Sequence, residues 1–517
     1  MVRWWARRNL LGGYATGVLV ATLAGAGLRL AALPAKSVWL DEAFSVWMAQ
    51  HPPAELWAWL VRIDHHPPLY YLLLHGWLGR FGDGPAAIRA LSALCSTLAI
   101  PLLAGAGRAL GGRRVGLAAA WMLALSPWQV RYAQESRMYG LLTLAVAAVF
   151  YAAARLLTQP ASRKLELSPW LLLVASQTAA MLSHNTTTVL LPVALNAGMA
   201  GAWGWARHPS SLPGLRSRGF VGHWIAAQIG ALLLWAVVWL PGFWRQAQVV
   251  DARFWLQPPA WTDLAEYGQM LAAGFLPVGS LLGWAALVLV MGLVIGGVYA
   301  WRDTPGKLGF VLALWLIPPL VELAVSVRRP LFHLPSLIWT ALPFTLLAAA
   351  GWVQLARRRA LAAGTAALLL LGWGLGLRGY FVDFHKERWD LAAAHVAAAA
   401  QPGDLVLFNA SWVQLPFAYY LRDSGLTLAL HGAPVDLFDR GELEPAMTAA
   451  DLPALASRVQ GRDQVWLVYS HAWYTDPGGL IPAELERHFA AVETFRLPGI
   501  EVRHYTRPRS ALPQTAR

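Results

Sequence analysis

Of the chain's 517 residues, 57% are hydrophobic and only 13% charged, and the mean hydropathy is +0.45. That apolar load exceeds what soluble cores hide and predicts an all-α polytopic membrane protein. The net charge of +13 does not indicate nucleic acid, because the arginines fall in short clusters between apolar runs, as in loops facing anionic lipid. The single cysteine, Cys95, excludes an intrachain disulfide and a cysteine-based metal cluster.

The start, MVRWWARRNL, has the charge of a signal-peptide n-region. The apolar stretch behind it is too long for a cleaved h-region and lacks a clear cleavage site, so an uncleaved span is expected. Apolar runs near spanning length follow at about 10–33, 86–108, 115–131, 139–157, 170–184, 186–206, 221–241, 281–300, 308–326, 334–355 and 359–378. They predict about eleven transmembrane helices, with the break at Ser183–His184–Asn185 the least marked. The 28 tryptophans suit membrane interfaces.

Basic residues set the expected orientation. With the N-terminus inside, alternate loops hold Arg108, Arg113 and Arg114; Arg155, Arg163 and Lys164; Arg207, Arg216 and Arg218; Arg302 and Lys307; and Arg357 to Arg359. These are predicted cytoplasmic loops, which leaves the C-terminus outside. Residues 64–81 contain His75 and Arg80 and too short an apolar core to cross, and so predict an interfacial helix after Pro67–Pro68. The outer stretch from Arg245 to Gly274, with Trp255, Trp261 and Tyr267, predicts a second segment lying on the membrane.

The composition changes near Tyr380. A helix over RWDLAAAHVAAA, a strand at Asp404–Phe408, a helix at Ser411–Leu421 and a strand at Gln464–Ser470 predict a small extracytoplasmic α/β domain. The expected division is therefore a membrane catalytic domain over 1–379, with an outer first loop at 34–85, and an α/β domain over 380–517.

Four outer-face groups carry chemistry. Asp41 and Glu42 open a short helix, and neighbouring positions point about 100° apart, so one carboxylate can face a cavity while the other holds the loop. The plainer alternative is an acidic first turn favoured by the helix dipole. His65 and His66 precede Pro67–Pro68 and suit a phosphate or metal, or an ordinary interfacial pair. SPWQVRYAQESRMYG, residues 126–140, gathers Gln134, Glu135, Arg137 and Tyr139, which either anchor helices or line a polar cavity. Arg328 and Arg329, with His333, break the charge rule and form a phosphate site or a snorkelling pair. No HExxH-type spacing occurs, so a divalent metal ion stays an open cofactor. The two N-x-S/T matches, Asn185 and Asn409, read as chance.

Three of these segments together, WLDEAFSVWMAQ, HHPPLYYLLLHGWLGRFGDGPAAIRALSAL and SPWQVRYAQESRMYGLLTL, resemble the family-39-type membrane glycosyltransferases. This is a GT-C fold superfamily that includes protein O-mannosyltransferases and the lipid A aminoarabinose transferase. The likeness is dense over about the first 200 residues and thin afterwards. It implies a polyprenyl-phosphate sugar as donor and transfer to a protein, lipid or glycan acceptor at the outer face of the cytoplasmic membrane. It further implies Asp41 as the base, Glu42 completing the acidic pair, and His66 as a phosphate-binding cation. His65, Tyr70, Gln134, Glu135, Arg137 and Tyr139 are the other expected substrate contacts. Many relatives carry an Arg–Tyr pair entering a late span. Pro335–Ser336 stand at the matching place here, which shifts the expected contact to Arg328, Arg329 or His333. Inversion by single displacement is expected mainly from the resemblance, since Glu42 or Glu135 could in principle act as a second carboxyl. The rival readings are a transporter or lipid flippase and a catalytically inactive member that binds an envelope partner.

Overall fold

The computed structural model describes residues 2–64, 66–160, 166–208, 212–252, 258–437, 439 and 445–508. The chain forms two compact units. One gathers Met1–Leu33, His65–Leu73 and Arg89–Phe384; the other gathers Pro34–Asp64, Leu74–Ile88 and His385–Arg517. The expected boundaries at 379 and 380 are linear, whereas the contacts group two pieces of the first loop with the C-terminal region.

The first unit is helical. Its long elements are α1 (Val2–Leu30), α2 (Pro85–Gly111), α3 (Arg113–Leu125), α4 (Tyr139–Thr158), α5 (Leu167–Met181), α6 (Asn185–Gly204), α7 (Phe220–Ala252), α8 (Leu281–Trp301), α9 (Pro305–Ser326), α10 (Ala341–Leu355) and α11 (Arg359–Arg378). Each corresponds to one of the eleven predicted apolar runs. Among the described residues, eight helical segments are long and apolar enough to cross a membrane, and α5 is a shorter apolar helix. This is a multi-pass membrane protein. The segment after Pro67–Pro68 forms a helix of 13 residues, Leu69–Phe81, about 20 Å long and too short to cross. The stretch from Arg245 to Gly274 contains the helix Trp261–Ala272, whose Tyr267 shares a 2.8 Å hydrogen bond with Thr340; Trp255 lies outside the described residues.

Packing in this unit depends on glycine where backbones meet. A Cβ on Gly351 would run into the Leu293 carbonyl oxygen, and one on Gly297 into that of Leu347, so α8 and α10 touch main chain to main chain. Several buried polar groups find partners on neighbouring helices. Arg29, wholly buried at the end of α1, donates to Ser96 Oγ at 2.9 Å and to the carbonyls of Gly25, Ala124 and Leu123 at 3.0–3.1 Å. Two of those carbonyls belong to the last turn of α3, where unpaired acceptors and the dipole favour a cation. The break at Ser183–Asn185 is real: α5 stops at Met181 and His184 Nδ1 caps α6 by accepting from Thr186 N at 3.3 Å.

The second unit contains a five-stranded sheet of order β2-β1-β3-β5-β4, built from β1 (Leu405–Phe408), β2 (Ala429–Gly432), β3 (Gln464–Ser470), β4 (Phe489–Leu497) and β5 (Ile500–Pro508). β1 runs parallel to β2 and β3, while β5 is antiparallel to β3 and β4. Helices form at Trp389–Ala399 and Gln414–Leu421, in the expected segments. Asn409, fully buried just after β1, exchanges hydrogen bonds with Ser470 N (2.8 Å) and O (2.6 Å) at the end of β3. Its sequon is thus a structural fastening with no exposed side chain to modify.

Prediction: Gly351→Ala should destabilise the protein by about 1–3 kcal/mol, seen as a lower melting temperature in detergent, while Gly364→Ala, with open space at its Cβ, should not. Equal melting temperatures for the two variants would remove the close α8–α10 contact as a stabilising feature.

Candidate functional site

In the second unit, the helix Leu40–Gln50 starts with Asp41 and Glu42 in its first turn. The two carboxylates have different surroundings. Glu42 is fully buried and pairs with Lys386 Nζ at 3.0 Å, itself almost wholly buried. Asp41 is half-buried, and its main-chain carbonyl accepts from Ser45 Oγ at 2.8 Å. Glu387, next along the chain from Lys386, accepts from Trp389 Nε1 at 2.9 Å and lies 3.4 Å from His471 Nε2. Burial raises the Glu387 carboxyl above its ordinary range and the negative charge of Asp41 adds to the rise, while His471 and the Trp389 hydrogen bond oppose it. Sequence reasoning missed this strap, though His385–Asp390 is a dense run of charged residues directly after an apolar helix.

In the first unit, cations and aromatic rings converge where α4, α6 and the Leu69–Phe81 helix begin. Arg137, 5% exposed, reaches His66 Nε2 and Tyr71 Oη, each at 3.4 Å. The His66 ring lies 5.4 Å from that of His184, which in turn lies 6.1 Å from Tyr139. Tyr70 Oη shares hydrogen bonds with Ser92 (3.1 Å) and Ser136 (3.3 Å). His333 joins the same neighbourhood. Burial, then the positive charges of His66, Arg137 and Arg131, push its imidazole down to about 3. Its main-chain N–H donates to Glu322 Oε2 at 3.3 Å, and Ser336 Oγ donates to Glu322 Oε1 at 2.9 Å.

The remaining expected residues are placed as follows. Glu135 is buried 3.5 Å from Arg131. Gln134 ties the end of α1 to the end of α11: its amide N–H donates to the Ala31 carbonyl at 2.6 Å, and its oxygen accepts from Tyr380 Oη at 3.0 Å. Arg328 is exposed, and Arg329 donates to the Ala247 carbonyl at 3.1 Å. His65 lies outside the described residues. Among the described residues, no three His, Cys, Asp or Glu side chains gather as a metal site.

Each cluster offers a chemistry of its own. A half-buried carboxylate with its neighbour already neutralised by lysine can accept a proton. A buried guanidinium beside imidazole and phenol groups can receive an anion such as a phosphate.

The helical membrane unit and the small sheet-bearing unit together define the GT-C fold, the one the resemblance implies. Residues 65–211 match the family model described as dolichyl-phosphate-mannose-protein mannosyltransferase. ArnT from Cupriavidus metallidurans in the apo state is similar over 96% of this chain and 98% of its own, at 15% identity and a TM-score of 0.59. The same enzyme bound to undecaprenyl phosphate gives 16% identity and a TM-score of 0.57 over the same shares. The archaeal oligosaccharyltransferase AglB from Archaeoglobus fulgidus, in complex with an inhibitory peptide and a dolichol-phosphate, matches 97% of this chain and 75% of its own, at 12% identity and a TM-score of 0.51. A comparison with curated protein sequences finds no match. At these identities the likeness establishes the fold.

Two predictions arise here. Lys386→Met strands a buried carboxylate and should cost about 3–5 kcal/mol; Glu42→Leu combined with Lys386→Met should recover much of that in thermal unfolding, and additive losses would refute the pair. His333 should make stability depend on pH. Between its ordinary 6.5 and about 3, the unfolded chain binds a proton that the folded chain refuses, so stability rises with pH across that window and is lost on acidification. His333→Gln should therefore narrow the drop in melting temperature between about pH 7 and pH 4.5, and an unchanged drop would contradict the assignment.

Proposed function

We propose that this protein is a membrane glycosyltransferase that moves a sugar from a polyprenyl-phosphate donor to an acceptor hydroxyl at the outer face of the cytoplasmic membrane. The acceptor oxygen forms a bond to the anomeric carbon as the bond from that carbon to the phosphate oxygen breaks. Asp41 takes the hydroxyl proton, and the polyprenyl phosphate departs as an anion. A sugar hydroxyl is a weak nucleophile until a positioned base accepts its proton, whereas the phosphate needs cations more than an acid. In this reading Arg137, His66 and His333 receive that phosphate, with Tyr70 and Tyr139 shaping their surroundings. The neutral His333 acts as a hydrogen-bond partner and Arg137 supplies the fixed charge.

The observation that carries the proposal is the convergence of Arg137, His66 and His333 in a fold shared with a transferase solved with undecaprenyl phosphate. Single displacement with inversion is supported by the state of the other carboxyls. Glu42 is sealed in an ion pair and Glu135 lies against Arg131, which leaves neither well disposed as a nucleophile. The N-terminus inside and the C-terminal region outside complete the reading, in accord with the distribution of arginines.

Prediction: purified protein incubated with a panel of radiolabelled polyprenyl-phosphate sugars and membrane extract transfers label. Asp41→Asn should lower the rate by about 10²–10⁴-fold with membrane insertion intact, and Arg137→Gln should chiefly weaken use of the donor. Full activity in Asp41→Asn would remove Asp41 as the base, and absence of transfer with every donor would remove the proposed activity.

A further inference from the structure

A second feature of the first unit lies at the far end of α6 from His184. α6 has 20 residues and so is about 30 Å long, the thickness of a bilayer core. Where it ends and α7 begins, a groove of about 280 Å³ opens, walled by Met199, Trp203, Phe220 and Trp224. Trp203 is 53% exposed. The polar groups at the base are satisfied: Trp224 Nε1 donates to Asn196 Oδ1 at 2.9 Å, and Asn196 Nδ2 donates to Gln228 Oε1 at 3.0 Å. Gln228 and Gln177 of α5 exchange two bonds of 3.0 Å. The base therefore has no polar atom waiting for a ligand, and the groove suits a hydrocarbon chain.

The mouth has the opposite character. Arg216 holds the two helix ends together by donating to the carbonyls of Ala206 (3.1 Å) and His208 (2.7 Å). Arg207 and Arg218, both exposed, flank it at the ends of the same two helices. No acidic residue occurs anywhere between Glu166 and Asp251. An apolar slot under a cationic rim matches a lipid with an acyl tail and a negative headgroup.

We propose that this groove is a binding site for an anionic phospholipid, with one acyl chain between α6 and α7 and its phosphate against Arg207, Arg216 and Arg218. The site sits about one bilayer thickness from the Arg137–His66–His333 group, so it takes a lipid of the opposite leaflet and not the sugar donor. It does not rest on the transferase reading. The bound lipid would hold α7, whose polar contacts with α5 and α6 run from Trp224 to Gln246, in place.

The test is native mass spectrometry of the full-length, delipidated protein titrated with palmitoyl-oleoyl phosphatidylglycerol or with phosphatidylcholine of the same chains. Phosphatidylglycerol should be retained about fivefold or more over phosphatidylcholine. Arg207→Gln combined with Arg218→Gln should bring the ratio close to one, and Trp203→Ala should weaken both lipids. No preference in the wild type, or a preference that survives the double arginine replacement, would overturn the site. Displacement of phosphatidylglycerol by millimolar inorganic phosphate would show a free-anion site and overturn it too. A diazirine-bearing phosphatidylglycerol cross-linked to the wild type gives a readout independent of variants: label is expected at Met199–Trp203 and Phe220–Trp224, and label confined elsewhere rejects the proposal.

Discussion

The ion pair between Glu42 and Lys386, 3.0 Å long and closed to water, is the constraint on which the second unit's chemistry depends. A charge buried alone is costly, and each partner is tolerable only because the other is there. The pair joins positions 344 residues apart and so makes the first loop and the C-terminal region one folded body. It also divides the labour of the acidic couple: Glu42 secures the helix, and Asp41 keeps a half-exposed carboxylate at its first turn. The neighbouring Glu387, held by Trp389 and His471, shows that the same strap arranges further charge around Asp41.

In the first unit the corresponding constraint is hydrogen-bond satisfaction in an apolar medium. Arg29, Gln134 and the Gln177–Gln228 exchange each meet it by crossing between helices. Such contacts contribute little individually, yet an orphaned polar group at the same depth is costly. They specify which helices are neighbours in a layer where apolar contact alone discriminates weakly. Glycine at positions 297 and 351 supplies the complementary device, allowing two backbones to meet without side chains between them.

Much of this was legible in the sequence. Length and apolarity marked the eleven helices, the short core of 69–81 argued against a crossing there, and the strands at 405–408 and 464–470 stood out as continuous apolar runs. The hairpin of β4 and β5 was not legible, because exposed positions on β4 such as Glu493 and Arg496 dilute its alternation. Asp41, Glu42, His66 and Arg137 could be singled out from residue type and position. Their partners could not, since Lys386, Glu387 and His333 are hundreds of residues away in the chain. The role of Gln134 as a tie between helix ends was hidden for the same reason: nothing local distinguishes an amide that binds a carbonyl from one that awaits a ligand. The arginines at 328 and 329 stand out in the sequence against the expected charge rule, while the nearby His333 is the member of that group that shares the field of Arg137 and His66.

Arg29 bears on how the chain is assembled. Its guanidinium sits at the end of the first helix, but two of its acceptors are the carbonyls of Leu123 and Ala124, which the ribosome supplies some 95 residues later. Until then that cation has only Gly25 and Ser96 as acceptors. The complete fastening at the end of the first helix therefore exists only once the third has been made, which ties that contact to the order of synthesis.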